Sequence, residues 1–308
     1  MPQVDVLVIG AGPAGVSAAI YLARFGVSVA LVEKLAPGGL LLQTFAIENY
    51  PGFPKGVKGY ELADLLAEQL APYSNISRIV GEVTELSLTG ETKTARVDDT
   101  NIEARAVIVT SGVRYRKMGL PREEEFLGKG ISHCALCDGN FFRGQRIAVV
   151  GGGNSAVEEA LHLAKIVAHM HIIHRRSEFR AAPIYLERLK ALSNVTLELN
   201  SVITGLHGSK ILDGLTIKRV DSGREDHLAV DGLFVFIGFN PAADFLPTGL
   251  SRDAHGFIET DTEMRTNIPG VFAAGDVRSK LCRQVVTAVG DGATAANSAH
   301  TYLEQLHV

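Results

Sequence analysis

Two stretches of the chain share one pattern of apolar and polar positions. Residues 4–34, VDVLVIGAGPAGVSAAIYLARFGVSVALVEK, open on a nearly unbroken apolar run. They then turn through glycines, continue with apolar residues at helical spacing and close on a second apolar run. Consecutive rather than alternating apolar positions predict a parallel strand covered on both faces. Residues 145–176, QRIAVVGGGNSAVEEALHLAKIVAHMHIIHRR, repeat the strand, glycine turn, helix and strand. Alternating apolar and polar residues over 76–112, and a comparable pattern over 214–238, predict meanders of short strands. The stretch 39–54, with Asn49, Pro51, Gly52 and Pro54, predicts a loop. Near the C-terminus, 268–277 predicts a strand ending in Asp276, and 287–306 a helix entered through glycine. Two βαβ units predict an α/β fold with two Rossmann-like three-layer domains. The short connections near 113–117 and 239–245 are the expected domain borders.

Composition narrows the class. The chain has 308 residues, 46% of them hydrophobic and 21% charged, with a net charge of −4. That mix predicts a globular protein with two domains and gives no basis for nucleic-acid or anionic-membrane binding. No apolar run approaches the roughly 18 residues of a membrane span. The N-terminus shows no targeting pattern, and three cysteines do not make a secreted disulfide framework. These features predict a cytoplasmic enzyme.

The glycine turns carry the first chemistry. Gly10, Gly12 and Gly15 form G-x-G-x-x-G around Pro13 and Ala14. The first glycine permits the tight turn, the second lets the backbone approach a pyrophosphate, and the third lets helix and strand pack closely. Twenty-three residues after Gly10, the second strand ends in Glu33, a carboxylate suited to an adenosine ribose. In the repeat, Gly151, Gly153 and Ala156 take the three turn positions, and the same step lands on His174, followed by Arg175, Arg176 and Arg180. Cations there suit a ribose bearing a 2′-phosphate, which an acid would repel. The second site therefore reads as NADP(H), and the first as NAD or FAD. Asp276, at a strand end before a helix N-terminus, suits a ribitol hydroxyl and the pyrimidine edge of a flavin.

Cys134 and Cys137 stand C-x-x-C just before the second turn. The spacing fits half a zinc site, a redox disulfide or an idle pair. A zinc site needs two more ligands, and only Cys282 and scattered histidines remain. At a helix start, the helix N-terminus would favour a thiolate. Asp138 reads as a helix cap, an acid–base group or both; Glu158 and Glu159 read as surface charge, Cys282 as an inert small residue and His133 as a surface imidazole.

Taken in order, GAGPAG (10–15), ENYPG (48–52), CALCDG (134–139), GGGNSAVEEAL (151–161), HRRSEFRA (174–181), GLFVFIG (232–238), IPGVFAAGDV (268–277) and RQVVTAVGDGATAA (283–296) make the chain resemble the low-molecular-weight thioredoxin reductases from Val4 to about Leu306. The resemblance implies a discontinuous FAD domain (1–113 and 245–308) with an NADPH domain (117–241) inserted into it and carrying the cysteines. It implies FAD held by Gly10, Gly12, Pro13, Ala14, Gly15, Glu33, Lys34, Gly39, Leu40, Gln43, Asn49, Val83, Gly275, Asp276, Arg283, Gln284 and Val285. It implies NADPH held by Gly153, Asn154, Ser155, Ala156, His174, Arg175, Arg176 and Arg180. It further implies Cys137 as the thiol on the flavin side, Cys134 as the interchange thiol and Asp138 as the acid that moves protons. Thioredoxin, or a similar small dithiol protein, would be the partner, and the enzyme would be a homodimer with no metal. Leu40, where some members carry glutamine, and Glu178, inside the arginine cluster, depart from the pattern. Ferredoxin or flavodoxin–NADP reductases share the two-domain frame but lack the C-x-x-C, and a non-enzymatic binding flavoprotein would not need it.

Overall fold

The computed structural model describes residues 3–44 and 46–306, with only the backbone of Ala46 and Ser155 described. The chain divides into two units. One holds the residues up to Leu42, Tyr50–Arg114 and everything from Asn240 on; the other holds Gln43–Asn49 and Tyr115–Phe239. The excursion of 43–49 into the second unit has no counterpart in the loop-like composition of that stretch.

The first unit is built on a seven-stranded sheet. Its order is Ile76–Val80, Val29–Glu33, Gln3–Ile9, Thr100–Val109, Lys93–Val97 and Val83–Ser87, with Val271–Ala273 paired to the second half of Thr100–Val109. Strand Gln3–Ile9 runs parallel to both neighbours, Val8 standing opposite Leu31 and Ile108. Its side chains alternate between two cores, which is why nearly every position is apolar. Val6 and Val8 pack with helices Pro13–Arg24 and Val285–Gln305, while Leu7 and Ile9 pack with Val83, Val97 and Val271. The predicted meander holds for Val83–Ser87, Lys93–Val97 and Thr100–Val109, which are antiparallel. Ile76–Val80 instead pairs parallel with Val29–Glu33, because helix Gly59–Glu68 brings the chain back as a crossover. The C-terminal helix starts at Val285, two residues before the predicted start, and is entered through Gln284 rather than a glycine. There the Gln284 N–H donates to Thr287 Oγ1 at 3.2 Å.

The second unit repeats the plan. Its parallel sheet has the order Ile131–Ser132, Gly232–Phe236, Arg146–Gly151, His169–Ile173 and Val195–Glu198. Ile147 and Val149 pack towards helices Asn154–Leu163 and Pro183–Lys190. Ala148 and Val150 pack towards an antiparallel sheet of Ser201–His207, Gly214–Arg219 and Glu225–Leu228. The alternating stretch 214–238 therefore splits. Its first two strands belong to the antiparallel sheet, and its last, more apolar strand returns to the parallel one. Among the described residues, no helix is long and apolar enough to cross a membrane.

Candidate functional site

In the first unit the sequence brings Gly10–Gly15 to the end of strand Gln3–Ile9, where helix Pro13–Arg24 begins with proline in its first turn. Gly10 has φ +105°, which favours glycine, and a Cβ on Gly15 would lie 1.8 Å from the Gly10 carbonyl oxygen. Thr110, which the sequence did not single out, clamps this turn. Its Oγ1 lies 2.9 Å from the Ile9 oxygen and 2.8 Å from the Gly10 oxygen. Glu33 accepts the Ala11 N–H at 2.9 Å and the Leu35 N–H at 3.2 Å, so the carboxylate is tied to the glycine turn. Lys34 pairs with Glu82 at 2.8 Å on the surface. Gly39 and Leu40 lie on the turn Gly39–Gln43, and a Cβ on Gly39 would come 3.4 Å from Gly12 Cα. Val83 is buried at the start of its strand.

Strand Val271–Ala273 delivers Gly275 and Asp276 to this unit. Asp276 Oδ1 is buried without a hydrogen-bond partner, and so is Ser111 Oγ. Burial pushes the Asp276 carboxyl up to about 6, against the pull of Lys280 and Arg283 and with a further push from Asp291. Arg283 stacks on Phe257 at 4.2 Å and donates to the carbonyls of Asp276, Arg278 and Lys280. Gln284 and Val285 open the C-terminal helix. The first unit thus gathers the glycine turn, Glu33, Lys34, Gly39, Leu40, Val83 and the 275–285 segment. Gln43 and Asn49 belong to the segment 43–49 of the second unit.

In the second unit Cys134 and Cys137 form a disulfide, with Cα atoms 5.3 Å apart. Cys134 is the N-cap of the short helix Ala135–Asp138, and its Sγ accepts the Cys137 N–H at 3.2 Å. With only four residues in that helix, this direct bond rather than a long helix dipole favours sulfur charge at Cys134. Asp138 does not cap the helix. It is buried, and its Oδ2 accepts the Ser132 hydroxyl at 2.6 Å. Ser132 Oγ also accepts the Cys134 N–H at 3.1 Å, tying the acid to the dithiol turn. A hydroxyl two residues before the first cysteine was the only sequence signal for it.

His133 is not a surface imidazole. Its ring stacks on Tyr115 at 4.2 Å, Nδ1 lies 3.1 Å from the Val235 oxygen, and burial lowers its pKa. It therefore stays neutral near pH 7 and supplies no charge to Cys134. Glu159 is not a surface charge either. One carboxylate oxygen is buried without a partner, and burial, then Glu158, raises its pKa. Cys282 is exposed and free. Among the described residues, no group of three or more His, Cys, Asp or Glu side chains is arranged to hold a metal ion.

The second glycine turn enters helix Asn154–Leu163 through Gly153, with Ala156 buried in its first turn. Asn154 Oδ1 accepts the Ala182 N–H, and the Arg180 N–H donates to the Gly152 oxygen, closing 180–182 onto the turn. The Ser155 side chain lies outside the described residues. Arg175, Arg176 and Arg180 are exposed beside this turn, and none makes an ion pair among the described residues. His174 is different in kind. It is only 7% exposed, its ring stacks on Phe179 at 4.9 Å, and a Cβ on Gly152 would strike it at 2.2 Å. Burial lowers its pKa, so it packs beneath the turn as a neutral ring.

Two dinucleotide-type turns and a disulfide define a nucleotide-binding redox protein. The family model described as pyridine nucleotide-disulphide oxidoreductase matches residues 4–292. The chain is 40% identical to the thioredoxin reductase of Listeria monocytogenes over 98% of this chain and 94% of that one. It is 39% identical to that of Bacillus subtilis, over 98% and 95%. The crystal structure of thioredoxin reductase from Streptococcus pyogenes superposes with a TM-score of 0.92 at 42% identity, over 98% of this chain and 99% of that one. The chain belongs to the pyridine nucleotide-disulphide oxidoreductase family, and within it to the low-molecular-weight thioredoxin reductases.

Proposed function

We propose that the chain is an NADPH-dependent thioredoxin-disulfide reductase that uses FAD and the Cys134–Cys137 pair to reduce oxidised thioredoxin. The observation that carries this reading is the disulfide on a turn that ends in the buried acid Asp138. Membership in the family brings a pyridine nucleotide and a flavin with it. The first unit fits FAD. Its glycine turn can accept a pyrophosphate, Glu33 has lone pairs left for a ribose, and the buried Asp276 oxygen lacks a partner that a ligand hydroxyl would supply. Gly10, Gly12, Pro13, Ala14, Gly15, Glu33, Lys34, Gly39, Leu40, Val83, Gly275, Asp276, Arg283, Gln284 and Val285 would hold it. Bound there, FAD supplies a two-electron carrier between a hydride donor and a disulfide.

In the second unit, Gly153, Asn154, Ser155 and Ala156 would meet the NADPH pyrophosphate at the helix start, and Arg175, Arg176 and Arg180 its 2′-phosphate. His174 supports these contacts from below. Once the pair is reduced, the Cys134 thiolate attacks a sulfur of the thioredoxin disulfide, and the other sulfur leaves as a thiolate that takes up a proton. The Cys137 thiolate then attacks Cys134 Sγ in the mixed disulfide, restoring the internal bond and releasing the second thioredoxin thiolate. Asp138, held by Ser132, exchanges protons with the thiols. The working enzyme is a cytoplasmic homodimer. The dithiol counts against the ferredoxin or flavodoxin–NADP reductase alternative.

The test is Cys134→Ser. NADPH should still bleach the flavin at close to the wild-type rate, while thioredoxin reduction should disappear. Near-normal thioredoxin turnover would refute the assignment of Cys134.

A further inference from the structure

The segment 276–283 carries three cations, Arg278, Lys280 and Arg283, and the charges of Lys280 and Arg283 act on Asp276. Buried cations this close to a carboxylate pair with it unless something else holds them. Asp291, on the C-terminal helix, is that something. Its Oδ2 accepts Lys280 Nζ at 2.7 Å and the Gly275 N–H at 3.1 Å, and its Oδ1 accepts Arg278 Nη1 at 3.1 Å. All three side chains are largely buried, at 12%, 8% and 13% exposure for Asp291, Lys280 and Arg278. Lys280 also donates to Thr287 Oγ1, and Arg278 to Thr260 Oγ1, so both cations are fixed away from Asp276. Arg283 turns its donors to backbone carbonyls and its face to Phe257. Asp253, whose charge acts on Arg283, takes the Ser279 hydroxyl. The outcome is a buried Asp276 oxygen left without a partner although two cations, Lys280 and Arg283, act on its carboxyl.

We propose that Asp291 is a positioning residue that holds Lys280 and Arg278 so that Asp276 remains available to the cofactor. The inference rests on the reading of the first unit as the FAD site. Without the Asp291 charge, Lys280 is free to turn to Asp276, the next carboxylate within its electrostatic reach, and to compete with the ligand for it. The same carboxylate fixes the turn from the other side, through the N–H of Gly275.

The experiment is FAD titration of the full-length apoprotein by flavin fluorescence, with far-UV circular dichroism checking the fold. Asp291→Asn should weaken FAD binding roughly tenfold, the scale of one charge-assisted hydrogen bond. Adding Lys280→Met to that variant should restore affinity to within about threefold, because the competing cation is gone. A merely structural role predicts the opposite, since each substitution then removes one more buried contact. Unchanged affinity in Asp291→Asn, or a double variant no tighter than the single, overturns the proposal. If Asp291→Asn yields no folded apoprotein, Lys280→Met alone decides: affinity kept or raised is the expected result, and a loss of about tenfold or more overturns it. Failure of the wild-type chain to bind FAD would instead refute the assignment of the first unit.

Discussion

At the scale of single residues, the tightest constraint is Gly15. A methyl group there meets the Gly10 oxygen at 1.8 Å and Thr110 Oγ1 at 2.7 Å, so helix and strand must part. Gly15→Ala should destabilise the protein by about 3 kcal/mol or more, as overpacking against backbone does, and abolish FAD retention; chemical denaturation and flavin content measure both. Asp276 makes a second prediction, on pH. Its carboxyl is raised to about 6 in the folded, ligand-free chain, above its unfolded value near 4. The contribution to stability is therefore fully present below about pH 4 and lost as pH rises through about 6. The FAD-free protein should lose on the order of 2–3 kcal/mol from this group between those limits, since each pH unit separating them is worth about 1.4 kcal/mol. Asp276→Asn should flatten that part of the profile in denaturation at pH 4 to 7.5. An unchanged slope would remove Asp276 as its source.

At the scale of elements, the arginine-bearing turn after His169–Ile173 makes the sharpest statement. Three exposed guanidinium groups without ion pairs among the described residues stand where the first unit carries Glu33. Arg175→Ala with Arg176→Ala should raise the KM for NADPH by about 100-fold or more and that for NADH only slightly, given about 1.5–3 kcal/mol for each charged hydrogen bond lost. Equal rises for both would remove the 2′-phosphate argument. Both βαβ units and their turns were legible because buried parallel strands and glycine turns leave strong local marks. Ile76–Val80 was not, since whether an alternating strand pairs with its sequence neighbour or across a crossover depends on distant partners. The start of the C-terminal helix was hidden for a similar reason, because the Gln284 cap depends on Thr287 rather than on a glycine. In the site, cysteines and arginines announced themselves by chemistry. Burial did not: His133, His174 and Glu159 are set by what packs over them, and Ser132 by a contact to Asp138 that spacing alone does not reveal.

At the scale of the whole molecule, one strand–glycine turn–helix plan stands twice on a single chain, with different side chains beside each turn. The first unit pairs its turn with a carboxylate and a buried acid; the second pairs its turn with arginines and carries the disulfide. FAD at about 100 times its Kd should stabilise the folded chain by about 2.7 kcal/mol, visible as a rise in Tm of the apoprotein. No rise would mean that the first unit does not hold it. The proposed function requires hydride equivalents from NADPH to reach thioredoxin through Cys134 and Cys137. The most direct test is anaerobic turnover of the FAD-loaded protein with thioredoxin, NADPH compared with NADH. Rapid thioredoxin reduction with NADPH and little with NADH is the predicted result. Flavin bleaching without any thioredoxin reduction would contradict it.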